Sequence, residues 1–224
     1  MEIALAITGL SLPWVAARYL PEFRLHANGK TLACFVWQIL ARITVFLVMG
    51  VFLLFVVLPW LLPLEFTRYL DVARLYLLVL LAEGLGRHIR DSALEPLMQQ
   101  GQAQISLVLR NLALLLLLSV VAVYRDVNLH HVVLAELIAS LLGAILALRG
   151  LVRYLHLHRE LQGQDGWQAP NWVEMWSIAR HMYLSHFITL TYSPQVFIFL
   201  IQHYLGVEAT ALFGFLRNLF EHIS

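Results

Sequence analysis

Apolar residues along this 224-residue chain come in long runs that are separated by short polar connections. An α-helix needs about 20 mostly apolar residues to cross roughly 30 Å of hydrocarbon, and seven runs come near that length. The pattern therefore predicts an all-α protein, a polytopic membrane helix bundle with about seven spans. The predicted spans cover residues 3–19, 38–63, 70–88, 104–124, 130–149, 177–205 and 208–224.

The first polar connection, "ARYLPEFRLHANGK" at residues 17–30, predicts an elbow between the first two spans. Pro21 is expected to end the first helix, because proline lacks the backbone N–H that an interior turn needs. Asn28-Gly29 is a turn sequence and is expected to reverse the chain. Residues 31–42 are more amphipathic than the span that follows. They are expected to lie along the membrane surface before the chain enters the bilayer.

Positive charge alternates between the connections. Most arginines flank the first, third and fifth connections, whereas the second and fourth hold only Arg68, Arg74 and Arg125. By the positive-inside rule, the odd-numbered connections are cytoplasmic and the first span runs from outside to inside. The longest polar segment, 155–176, is predicted to be a cytoplasmic linker that separates helices in 1–154 from helices in 177–224.

Composition agrees with a lipid environment. The chain is 60% hydrophobic and 13% charged, with a mean hydropathy of +0.75, whereas soluble domains are about half apolar and about a quarter charged. A net charge of +1 excludes a strongly basic nucleic-acid surface. Cys34 is the single cysteine, so no disulfide forms within the chain, and the histidines are not spaced as metal ligands on one helix face. No metal and no other cofactor are expected.

Two runs carry a family resemblance, "GLSLPWVAARYLPEF" at residues 9–23 and "SPQVFIFLIQHYLGVEATALFGFLRNL" at residues 193–219. With the Leu-rich helix pairs and the central linker, they resemble polysaccharide flippases of the multidrug/oligosaccharidyl-lipid/polysaccharide exporter superfamily, of the O-antigen type. The resemblance implies part of a two-lobe flippase of twelve to fourteen helices, whose central cavity opens alternately to each side. The implied cargo is a saccharide on a polyprenyl pyrophosphate, flipped across the bacterial cytoplasmic (inner) membrane for polysaccharide export. Implied partners are the lipid bilayer, that lipid-linked saccharide and polysaccharide polymerase or glycosyltransferase machinery.

On this resemblance, the chain holds the second to sixth spans of a first lobe, the linker, a seventh span and part of an eighth. The family's first span would be missing and its second lobe would be cut short. The chain is therefore expected to be a fragment that does not transport by itself.

Ionisable groups deep in a membrane are costly, so each one is a functional hypothesis. Arg217, placed at mid-depth in the last span, would offer a guanidinium fork to the cargo's pyrophosphate, or would pair with a carboxylate of another helix. Arg42 and Arg110 are topology determinants near the inner membrane boundary that could also attract an anionic headgroup. Gln195 and Gln202 are a heptad apart and could bond sugar hydroxyls or a neighbouring helix.

Glu136 and Glu83 are the candidates for carrying a coupling ion. Glu136 is about two turns inside its span and could take up a proton or Na⁺, or bond a neighbouring helix. Glu83 precedes Arg87 by four residues, so an ion pair within one helix is predicted there ahead of a coupling role.

The same hydrophobic pattern is compatible with two other classes of protein. A membrane-embedded polysaccharide-biosynthesis enzyme would need convergent acid, base or nucleophilic groups in a pocket. The predicted exterior connections are too short to build one, so no enzymatic activity is expected. A non-catalytic membrane subunit or receptor-like seven-helix protein would follow if the seven spans were the whole protein.

Overall fold

The computed structural model describes residues 12–61, 70–123, 128–160, 162–163, 169–191, 201, 204 and 206. Every regular element within these ranges is helical, which confirms the all-α prediction. The helices are α1 (Leu12–His26), α2 (Gly29–Leu61), α3 (Leu70–Ile89), α4 (Gln100–Val123), α5 (Leu129–Leu157) and α6 (Trp172–Thr191). A five-residue π-helical segment, Arg90–Leu94, directly continues α3.

Three of the described helices are long and apolar enough to cross a membrane: Gly29–Trp60, Gln100–Val123 and Leu129–Leu157. This finding is consistent with an integral membrane protein. Helix α3 coincides closely with the third predicted span, although it is not one of these three. The count of about seven spans stays a prediction.

The elbow between the first two helices differs from its prediction at one residue. Helix α1 runs through Pro21 to His26, so Pro21 does not end it. Packing provides the reason, because Leu20 and Phe23 on either side of the proline are buried, and the Phe23 ring stacks on Phe35 with centroids 4.0 Å apart. The turn at Asn28 is confirmed, since its side-chain oxygen accepts a hydrogen bond from the Thr31 N–H at 2.8 Å.

Residues 31–42 are part of α2, which is one continuous helix of 33 residues. The predicted surface-lying approach is therefore wrong. Its apolar side chains Phe35, Val36, Ile39 and Leu40 are buried in the main core of the protein. The amphipathic pattern of this segment reflects packing against other helices.

Small residues bring α3, α4 and α5 close together. A Cβ placed on Gly86 of α3 would lie 3.3 Å from Ala144 of α5. One on Gly143 would lie 3.0 Å from the Cβ of Arg110 in α4, and one on Gly150 would lie 3.1 Å from the side-chain oxygen of Gln102. Residue numbers fall along α5 as they rise along α4, so these two helices are antiparallel. Close approach at small residues is the usual way for helices to associate in lipid.

The chain forms two compact units, Met1–Arg180 and His181–Ser224. Helices α1 to α5 lie in the first unit. In the second unit the structure describes the end of α6 and residues 201, 204 and 206. The predicted lobe division at 155–176 stays a prediction.

Candidate functional site

Four charged side chains meet where α3, α4 and α5 pack together, and we call them the charge cluster: Glu83, Arg90, Arg110 and Glu136. The two oxygens of Glu83 bind different arginines, with Arg110 Nε at 2.6 Å and Arg90 Nη2 at 3.6 Å. Arg110 Nη2 also lies 4.0 Å from Glu136 Oε1. Two cations and two anions are thus held in one network that links three helices.

The charge cluster is buried. The Glu83 and Arg90 side chains are 9% and 8% exposed, Arg110 is 13% exposed and Glu136 is 27% exposed. A buried charge without a partner costs several kcal/mol, and pairing compensates for this only where the geometry is good. The charges of the cluster balance, and the Glu83 and Arg110 side chains are in contact, but the Arg110 Nε atom has no hydrogen-bond partner among the described residues.

Arg110 is placed by the small residues of α5. Its aliphatic stem lies along Gly143, where a larger residue would displace it. From this position the guanidinium reaches Glu83 on α3 and donates a hydrogen bond to the Ser140 hydroxyl of α5 at 3.4 Å. Arg110 is the eleventh residue of α4, so it lies roughly 15 Å along a helix that rises 1.5 Å per residue.

Arg90 is placed by the π-helical segment. The Glu95 N–H bonds the Arg90 carbonyl at 2.9 Å across five residues, which is the π pattern. The Arg90 Nη1 atom is buried and has no hydrogen-bond partner among the described residues. Single π turns often occur at functional sites, and this one begins at a member of the charge cluster.

The predicted ion pair between Glu83 and Arg87 is wrong. Arg87 bonds Asp91 instead, with 3.3 Å between Nε and Oδ2. Glu83 pairs with Arg90 and Arg110. The four-residue rule describes only neighbours on one helix, whereas Glu83 finds its closest partner on another helix.

A polar cavity of about 290 Å³ lies beside the charge cluster. Its lining residues are Glu83, Arg87, Arg90, Asp91, Glu95, Ala103, Gln104 and Leu107. Burial raises the pKa of the Glu95 carboxyl above its usual value; the Asp91 carboxylate adds to the rise and Arg90 opposes it. Water or a small ion in this cavity would have direct access to Glu83 and Arg90.

Arg42 lies at a different place. Its guanidinium carbon is 3.5 Å from the centroid of the Trp172 ring. The Trp172 indole N–H donates a hydrogen bond to the Gln38 side-chain oxygen at 3.1 Å. Arg42 is thus covered by an aromatic ring at the start of α6 and does not belong to the charge cluster.

Of the predicted site residues, the structure brings together Arg110, Glu83 and Glu136. Arg217, Gln195 and Gln202 lie outside the described residues. Sequence reasoning missed Arg90 as a member of the network. The sequence does contain one indication that Arg90 belongs to the network. Arg90 follows Glu83 by seven residues, and this spacing puts both side chains on the same helix face two turns apart.

Within the described ranges, no three His, Cys, Asp or Glu side chains group together as a metal ion would require. The charge cluster contains two carboxylates whose nearest contacts are arginines. What it can do chemically is exchange protons at the carboxylates and bind anions at the guanidinium groups.

No protein-family model matches this chain, and no curated protein or solved structure matches it.

Proposed function

We propose that this chain belongs to a membrane transporter that flips an anionic, lipid-linked saccharide, with the charge cluster as its coupling element. The observation that carries the proposal is the burial of Glu83, Arg90, Arg110 and Glu136 between helices of which two are apolar enough to span a membrane. Ionisable groups in such places are costly, and they mark ion and substrate pathways. The role is transport, and no covalent chemistry is proposed.

Coupling would work through competition for Arg110. While Glu83 and Glu136 are both ionised, they balance the charges of Arg110 and Arg90, and the site has no affinity for an external anion. A proton that reaches Glu83 through the polar cavity removes this negative charge. The two arginines are then left with one carboxylate, Glu136, and bind the cargo's pyrophosphate through charge-assisted hydrogen bonds.

The remaining parts of the proposal come from the resemblance to polysaccharide flippases. They are about seven spans from a two-lobe protein, a place in the bacterial inner membrane, and further cargo contacts at Arg217, Gln195 and Gln202. Their test is the size of the native polypeptide, detected in source membranes with an antibody to residues 155–176. A band of roughly 50 kDa is expected if five or more further spans exist. A band at 25.6 kDa would favour the membrane subunit or receptor-like alternative.

The transport assay should use the polypeptide as the source cell makes it, purified with the same antibody and reconstituted into vesicles. The readout is the transfer of a fluorescent polyprenyl-pyrophosphate saccharide between leaflets, measured by chemical quenching from outside at several pH values. The informative variant is Glu83→Gln with Arg110→Gln, which removes one negative and one positive charge and leaves the net charge of the cluster unchanged. The matched control is Asp71→Asn with Arg74→Gln, a pair 3.7 Å apart on α3 whose side chains are more exposed than those of Glu83 and Arg110.

We expect the Glu83 and Arg110 double variant to fold and to flip at least tenfold more slowly than the parent. The single variant Glu83→Gln should lose the pH dependence of cargo binding, because the proton acceptor is gone. The Asp71 and Arg74 control should flip at the parent rate. A folded Glu83 and Arg110 double variant with the parent's rate and pH profile would refute the coupling role and leave the cluster as a structural brace.

A further inference from the structure

A cationic cleft lies between the start of α2 and the end of α5. Its volume is about 760 Å³, and its lining residues are Asn28, Lys30, His156, Leu157, Arg159, Glu160 and Gln162. Lys30 and Arg159 are exposed and form no ion pair with the described residues. Glu160 is the one acidic side chain of this lining, so two cations and a titratable imidazole outweigh a single carboxylate.

Gly29 is what allows the cleft to form. A Cβ at this position would collide with the backbone carbonyl oxygen of His158 and would lie 2.8 Å from that of Arg159. The first turn of α2 therefore abuts the end of α5. This close approach brings Lys30 and Arg159 to the same cleft although they are far apart in sequence.

An apolar groove continues the cationic cleft. It has a volume of about 340 Å³ and shares Lys30, His156 and Arg159 with the cleft. Its other lining residues are Gly29, Ala33, Trp37, Val152 and Leu155. The combined surface is charged at one end and apolar at the other, which is the polarity of a phospholipid.

The position of the groove relative to the bilayer fits the same ligand. Both α2 and α5 are among the helices that can span a membrane. Trp37 lies seven residues into α2 from Lys30, roughly 10 Å closer to the apolar part of the helix. Tryptophan is enriched at the membrane interface. The cationic cleft thus falls at headgroup level, and the apolar groove leads towards the hydrocarbon.

We propose that this cleft and groove bind an anionic phospholipid. The phosphate lies between Lys30 and Arg159 with His156 beside it, and one acyl chain lies along Ala33, Trp37 and Val152. Basic residues at a membrane surface attract anionic lipids. No residue of the charge cluster lines the cleft or the groove, so lipid binding at this site does not depend on the proposed transport activity.

The test is retention of phosphatidylglycerol against phosphatidylcholine by the full chain, measured by native mass spectrometry from mixed detergent and lipid micelles. The variant that removes the cations is Lys30→Gln with Arg159→Gln. Its matched control is Arg149→Gln with Arg153→Gln, which removes two exposed charges of α5 that do not line the cleft. Val152→Trp fills the groove and leaves the cations in place. Far-UV circular dichroism verifies that each variant keeps the parent's helix content.

We expect the parent to retain phosphatidylglycerol on the order of tenfold more strongly than phosphatidylcholine. The Lys30 and Arg159 double variant and Val152→Trp should each lose this preference, and the Arg149 and Arg153 control should keep it. Equal retention of both lipids by the parent, or equal loss in both double variants, would overturn the proposal. Displacement of the lipid by millimolar inorganic phosphate, with Val152→Trp unaffected, would also overturn it, because the cleft would then be a site for free phosphate.

Discussion

The guanidinium of Arg42 lies over the ring of Trp172, with 3.5 Å between the Arg42 Cζ atom and the ring centroid. Phe35 lies beside the same ring with centroids 5.7 Å apart. The Gln38 side-chain oxygen accepts a hydrogen bond from the Trp172 indole N–H. Three residues of α2 thus hold the first residue of α6. The contact joins two residues that are 130 positions apart in sequence, so it contributes to the tertiary fold of the first unit.

Replacement of Trp172 by leucine should lower the free energy of unfolding by about 1–3 kcal/mol. The cation–π contact contributes about 0.5–2 kcal/mol and the hydrogen bond to Gln38 about 0.5–1.5 kcal/mol. The measurement is denaturant unfolding in detergent micelles, followed by circular dichroism. Trp176→Leu is the matched control, because Trp176 is on the same helix and is 49% exposed. Equal losses in the two variants would show that the contact with Arg42 adds nothing.

The double-mutant cycle of Glu83 and Arg110 should show strong coupling. Each single change to glutamine leaves a buried charge with a poorer partner and should cost about 3 kcal/mol, whereas the double variant should cost less than the sum of the two. The more exposed pair of Asp71 and Arg74 should couple by less than about 0.5 kcal/mol. Additive losses at Glu83 and Arg110 would mean that their ion pair does not stabilise the fold.

Replacement of Gly143 by alanine should disturb Arg110 without touching its charge. The new Cβ would lie 3.0 Å from the Cβ of Arg110 and 3.2 Å from its Cγ, so the stem must shift and stability should fall by about 1 kcal/mol. Gly101→Ala is the control, since nothing lies within 4 Å of an added Cβ there. That change should raise helix stability by about 0.5–1 kcal/mol. A stabilised Gly143→Ala variant would contradict the close packing of α4 on α5.

The raised pKa of Glu95, at the edge of the polar cavity, predicts that stability depends on pH. Burial raises the pKa of its carboxyl, with a further contribution from Asp91, so the folded chain binds this proton more tightly than the unfolded chain. The contribution of Glu95 to stability is therefore complete at low pH and is lost as the pH rises from its ordinary pKa through its raised folded pKa. Glu95→Gln should flatten this part of the profile, by a small amount because the side chain is exposed. Unfolding of parent and variant between about pH 4 and 6 is the measurement, and parallel profiles would rule the effect out.

The sequence predicted the helices better than their ends and partners. Hydrophobic run length predicted a helix at 70–88, and the structure has α3 at Leu70–Ile89. Pro21 was misread because the rule for proline considers only the local backbone, whereas Leu20 and Phe23 gain enough by burial to keep the helix intact. Residues 31–42 were misread for a related reason, since an amphipathic helix can bury its apolar face in protein as well as in the membrane surface.

The candidate site could be predicted in part. The cost of ionisable groups in lipid made Glu83 and Glu136 candidates for carrying a coupling ion, whereas Arg110 was predicted to lie near the inner membrane boundary. These three side chains meet in one network because the helices pack closely at Gly86 and Gly143. No spacing along a single helix reveals this packing. The pairing of Glu83 therefore required the structure.

Helix α4 has its two buried side chains, Ala103 and Ser106, in its first two turns. The described residues from Leu107 to Val123 are exposed or, like Arg110, partly buried, and they extend for roughly 25 Å. In a bilayer, acyl chains would lie against this length of the helix, with Arg110 at its beginning. For the proposed flippase, the consequence is a lateral gate: an amphiphile could approach sideways out of the bilayer, present its headgroup to Arg110 and leave its tail in the lipid throughout.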